Sequence, residues 1–80
     1  MEQFLTLDRL RPGERARVLA LHGGEPLRRR FRELGLSEGA ALRCLGRSPL
    51  GDPTAYSLGG VILALRRRDS VSVVIERWEA

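Results

Sequence analysis

The sequence predicts a mainly β fold: a small, partly open barrel of about five short strands, with one helix inserted early. Three observations carry this prediction. Nine Gly and four Pro in 80 residues punctuate the chain too often for long helices. Between them lie short runs of alternating or β-branched residues, the pattern of half-buried strands. One segment alone, bounded by Pro26 and Gly35, shows clear apolar spacing at the helical period. A chain this short holds one core, so residues 1–80 form a single domain. Hydrophobic residues at 42% and charged residues at 30% argue against disorder.

The elements follow in order. Thr6 or Asp8 is placed to cap a short turn around Leu7 and Leu10, ended by Arg11-Pro12-Gly13. Arg15 to His22 reads as the first strand, closed by Gly23-Gly24. Pro26 then suits a first helical position and Gly35 the residue just past the helix end. Leu27, Phe31 and Leu34 fall at i, i+4 and i+7 and so share a stripe, with Arg28, Arg29 and Arg32 opposite and Arg30 at its border. So short a helix needs a sheet to pack on. Ala40 to Leu45 is the second strand, with Leu42 and Cys44 on one face and Arg43 on the other. Ser48-Pro49-Leu50-Gly51-Asp52-Pro53 is a rigid loop, since its two prolines fix φ and remove donors. Thr54 to Leu58 and Val61 to Arg66 flank Gly59-Gly60, a two-residue hairpin signal. Arg66-Arg67-Arg68-Asp69 is a charged turn, and Val71 to Glu76 is the closing strand.

Composition also bounds function. Fourteen basic against ten acidic residues give a net charge of +4, and every basic residue is Arg; genomic compositional bias explains this as well as function does. With one Cys there is no intramolecular disulfide, which fits a reducing compartment. Met1-Glu2-Gln3 begins neither a basic n-region nor an apolar h-region, so no secretory signal is expected. The longest charge-free run, Pro53 to Leu65, falls short of the roughly 20 apolar residues of a membrane span. A cytoplasmic protein is the expectation.

Landmarks along the chain resemble a known family. The segment Pro26 to Gly39 looks like the signature of the bacterial FeoA proteins, which carry an "LGL-x-x-G" stretch leaving their helix, here Leu34-Gly35-Leu36-Ser37-Glu38-Gly39. Ser48-Pro49-Leu50-Gly51-Asp52-Pro53 resembles their "APLGDP" loop, Leu63-Ala64-Leu65-Arg66-Arg67 their "ALR" strand, and Val71 to Glu76 their closing strand. The likeness runs from about Leu5 to Glu76 with its landmarks in order. It departs at Ser48, where Ala is usual, and at Gly59-Gly60, a tighter hairpin than some members have. This resemblance implies an SH3-like barrel, cytosolic and non-catalytic, acting as an accessory to FeoB, the ferrous iron permease that carries a cytosolic GTP-binding domain.

The residues themselves offer little for catalysis. There is one His, and with no Lys there is no phosphate loop with its lysine, so no GTP or ATP turnover is expected. Cys44 reads as a buried structural thiol. His22, Glu25 and Asp52 are of the types that bind Fe(II), but nothing in their spacing brings them together; no cofactor or metal is expected. The pronounced electrostatic feature is arginine. Arg28, Arg29 and Arg32 on the helix, with Arg66, Arg67 and Arg68 at the last turn, form either a solvated face or a partner-binding patch. Leu50, held by two prolines, is either an anchor for a partner or folded back on the barrel, with Asp52 capping the turn. The alternative function is a small basic barrel binding nucleic acid. Against it stand the modest charge and the scatter of Phe4, Phe31, Tyr56 and Trp78, which offers no stacking platform. The open sheet edges would also allow two copies to pair.

Overall fold

The computed structural model describes residues 4–78; the leader reading on Met1-Glu2-Gln3 lies outside them. Six strands form one antiparallel sheet: β1 (Phe4–Thr6), β2 (Arg15–Leu21), β3 (Ala41–Arg47), β4 (Thr54–Leu58), β5 (Val61–Leu65) and β6 (Val73–Arg77). Their spatial order is β1-β6-β2-β3-β4-β5, a small SH3-like arrangement in which the sheet does not close. A 3-10 turn (Leu7–Arg9) follows β1, helix α1 (Glu25–Glu33) joins β2 to β3, and a one-turn helix α2 (Arg67–Ser70) precedes β6.

The sixth strand is β1, which the sequence reading did not include. Three residues are too few to show alternation. The strand exists because Phe4, Leu5 and Thr6 pair with Glu76, Ile75 and Val74 at the far end of the chain. Thr6 precedes the 3-10 turn as expected, but its hydroxyl donates to the Asp8 carboxylate and caps no backbone N–H.

Alternation decides the rest. In β2, Ala16, Val18 and Leu21 are buried while Arg15 and Arg17 face outward; in β3, Leu42 and Cys44 are buried and Arg43 is exposed. Two register shifts bend the sheet. One falls between Val18 and Ala20 against β6, and the other between Cys44 and Gly46 against β4. The second carries β3 past its expected end at Leu45, because Gly46, at φ 151°, lets the strand bulge and continue to Arg47. Gly59 and Gly60 both have positive φ, 57° and 85°, which is the type I′ geometry of a two-residue hairpin joining β4 to β5. The charged turn at Arg66–Asp69 winds into α2, where Val71 N–H donates to the Arg67 carbonyl. That helical turn delays β6 by two residues, so β6 starts at Val73 and not at Val71.

Helix α1 corrects one core assignment. Gly24 is its N-cap and Pro26 its second residue, one later than expected. Phe31 is wholly buried and Leu27 packs on the core edge, but Leu34 is 42% exposed. The cause lies at the helix end. Leu36 N–H donates to the Phe31 carbonyl at 2.8 Å and Gly35 N–H to the Arg32 carbonyl at 3.0 Å. This is a Schellman motif with Gly35 in the left-handed region at φ 93°. The reversal turns Leu36 inward, where it is wholly buried in the core, while Leu34, the expected core residue, stays exposed. At Gly35 a Cβ would also meet Leu58 Cδ2 at 3.0 Å. Gly35→Ala is therefore expected to cost about 1–2 kcal/mol and lower the melting temperature by several degrees. An unshifted thermal melt would show that the reversal does not depend on a left-handed glycine.

Candidate functional site

The arginines of α1 divide by what they touch. Arg28 bonds Glu25 at 2.9 Å and also donates to the Gly23 carbonyl, so it is tied to its own helix start. Arg32 stands 3.8 Å from Glu25 and 3.9 Å from Glu38. Arg29 forms no ion pair among the described residues. Arg30, expected at the border of the apolar stripe, crosses to α2 and bonds Asp69 at 3.0 Å. These pairs are solvent-exposed and each adds well under about 1 kcal/mol. Their effect is to orient the guanidiniums.

The loop between β3 and β4 stands out from the sheet. Leu50 does not fold back: it is 94% exposed. Asp52 caps something other than its own turn. Its Oδ1 accepts the Arg67 backbone N–H at 2.9 Å, at the start of α2, where negative charge is favoured. This bond joins the Leu50 loop to Arg66, Arg67 and Arg68, and the Arg30–Asp69 pair joins α2 to α1. The two arginine clusters and the loop are thus connected through α2. Arg66 and Arg68 are exposed and form no ion pair among the described residues.

Sequence reasoning missed a second arginine group. Arg9, Arg11, Arg47 and Arg77 line one cavity with Arg67. They come from four separate segments, so no local run announces them; the sheet order alone brings them together. Among the described residues no three His, Cys, Asp or Glu side chains converge on a point where a metal could sit. Glu25 is held by arginines and Asp52 by α2. Cys44 is wholly buried, and burial pushes its thiol up, with Arg47 opposing the shift to a lesser extent. Tyr56 is buried with its hydroxyl donating to the Leu7 carbonyl at 3.3 Å. Burial, chiefly, pushes its phenol up to about 12. The Trp78 ring has Arg15 and Arg17 each 5.5 Å from its centroid, within cation–π range.

A small SH3-like sheet with one helix between β2 and β3 defines a small SH3-like domain. The FeoA domain family matches residues 5–77, and the chain belongs to the FeoA family, small accessory domains associated with ferrous iron transport. It is 28% identical over 72 residues to an "Fe(2+) transport protein A/Fe(2+) transporter FeoB fusion protein" of Porphyromonas gingivalis, covering 90% of this chain and 8% of the fusion. Among solved structures it resembles the FeoA protein of Chlorobium tepidum at 33% identity and a TM-score of 0.87, covering 94% of this chain and 71% of that one. It also resembles the zinc-complexed FeoA of Stenotrophomonas maltophilia, described as an SH3 domain protein, at 30% identity and a TM-score of 0.78. That match covers 90% of this chain and 89% of the other. No helix among the described residues is long and apolar enough to cross a membrane.

Proposed function

We propose that this protein is a non-catalytic, cytoplasmic accessory of ferrous iron uptake that docks on a FeoB-type permease. The docking site is the permease's cytosolic GTP-binding domain or its membrane-proximal face. The observation that carries this reading is the fusion relative, in which a segment similar to this chain is covalently joined to an Fe(2+) transporter. Joining two partners in one chain raises their effective concentration, which is useful where the separate pieces bind each other. The contact surface is the arginine face: Arg28, Arg29 and Arg32 on α1, with Arg66, Arg67 and Arg68 around α2. Leu50 is its apolar anchor, presented by a loop that Asp52 ties to α2. An apolar side chain at 94% exposure on a proline-framed loop loses little conformational entropy on burial against a partner. Arginines around it steer an acidic face into place.

The test is charge reversal at Arg28, Arg29 and Arg32 together, leaving Phe31 and Leu36 untouched. Loss of the pairs to Glu25 and Glu38, with new like-charge contacts, costs about 1–2 kcal/mol in all, so the domain stays folded. Association with the purified permease, followed by surface plasmon resonance, is expected to slow at least about tenfold, mainly in the on-rate. Binding of random oligonucleotides near 150 mM salt is expected to be negligible for the parent protein. Tight, salt-sensitive oligonucleotide binding that the triple variant abolishes would instead establish the nucleic-acid reading.

A further inference from the structure

A cavity of about 720 Å³ opens between β1, the 3-10 turn, the Leu50 loop and α2. Small-molecule sites typically enclose about 300–1,000 Å³. Its lining brings five arginines, Arg9, Arg11, Arg47, Arg67 and Arg77, against one carboxylate, Asp8, a surplus of four positive charges. The whole chain carries only +4, so this surplus equals the protein's entire net charge, gathered around one concavity.

The carboxylate cannot offset it. Asp8 has only 8% of its side chain exposed, and it is already engaged by the Thr6 hydroxyl and by Arg67 Nε at 3.8 Å. Arg47 reaches the same residue, donating from Nη2 to the Asp8 carbonyl at 3.3 Å, so Arg47 and Arg67 are both drawn to one point of the wall. Arg77 Nη1 stands 3.8 Å from Glu14, while its Nε is buried and has no hydrogen-bond partner among the described residues. Arg9 and Arg11 form no ion pair among the described residues. Guanidiniums crowded around a common space repel one another, and the group that relieves this is an oxyanion able to accept forked N–H pairs from several of them. One carboxylate would leave most of the surplus uncompensated; consecutive phosphates match it in charge and in geometry. Phe4, 58% exposed on the wall, adds a ring against which a planar group can stack.

We infer that this cavity binds a small molecule carrying two or more linked phosphates. The site meets the docking surface proposed above at Arg67 and, through Gly51, at the Leu50 loop, so the substitutions that test it leave both unchanged. Isotope-labelled protein is titrated with inorganic triphosphate, and then with adenosine and guanosine di- and triphosphates, at 150 mM salt by two-dimensional NMR. The expected result is saturable binding, with shifts concentrated on amides of the 3-10 turn, Gly51 and Arg67. Arg9→Gln with Arg47→Gln is expected to weaken binding at least tenfold, and Arg28→Gln with Arg32→Gln, outside the cavity, to leave it unchanged. Nucleotides binding more tightly than triphosphate, with the gain lost in Phe4→Ala, identify a nucleotide ligand; equal affinities identify a ligand read through its phosphates alone. Absence of saturation overturns the inference, as do shifts spread over all exposed arginines or equal losses in the two double variants. Binding of a glutamate-rich peptide in place of triphosphate overturns it in favour of an acidic protein segment. If Arg9→Gln with Arg47→Gln fails to fold, the shift map of the parent protein decides. Permease association should persist in that variant, so failure here and failure of the docking reading give different results.

Discussion

Replacing Phe31 with alanine is expected to destabilise the protein by about 3–5 kcal/mol, the usual range for removing a buried ring. Phe31 is wholly buried in the same core cluster as Leu36, whose backbone N–H donates to the Phe31 carbonyl at the helix reversal. Domains of this kind are stable by only about 5–15 kcal/mol in total. At roughly 4–8 °C per kcal/mol for a chain of this size, the melting temperature should drop by more than about 10 °C. Calorimetry or urea denaturation measures it directly. A variant melting within a few degrees of the parent would mean that α1 does not contribute its stripe to the core.

Alkaline pH is expected to have an effect of nearly similar size through one group. Tyr56 titrates near 10 when the chain is unfolded and at about 12 in the folded protein, because burial disfavours the phenolate. A folded-state value above the unfolded one means that the stabilisation is complete below pH 10. It disappears as pH climbs from 10 through 12, by on the order of 2 kcal/mol. Cys44 has the same sign, its thiol being pushed up by burial as well. Tyr56→Phe should therefore flatten the stability profile between pH 10 and 12. It should also lose about 1 kcal/mol at neutral pH with the bond to the Leu7 carbonyl. A profile with unchanged slope in Tyr56→Phe would place the titrating group elsewhere.

What could be read from the sequence was what local pattern controls. The hairpin at Gly59-Gly60 is fixed by two positive φ values that glycine alone adopts readily, and the paired flanks Leu58 and Val61 follow from it. Leu42 and Cys44 alternate with Arg43 as a half-buried strand must. Pairing across the chain was not legible. β1 is three residues whose strand character comes from β6 alone. Leu34 was assigned inward because periodicity runs on past a helix end that a glycine reverses; the better signal was the glycine itself, which puts the next apolar residue, Leu36, inside. The arginine clusters on α1 and around α2 were legible as consecutive runs. The cavity was not, since Arg9 and Arg11, Arg47, Arg67 and Arg77 come from four distant stretches of chain, and only the fold makes them neighbours.

The pairing of β1 with β6 has a further consequence. Phe4 lies directly opposite Glu76, so the path of the backbone into the fold and the path out of it run side by side at one edge of the sheet. A unit whose entrance and exit coincide can be spliced into a longer polypeptide, at either terminus or within a loop, while its interior packing stays as it is. The helix, the Leu50 loop and the hairpin turn hang from other strands and are untouched by such a graft. Evolution can therefore move this unit between separate and tethered arrangements through changes in linker length alone, and an engineer could do the same.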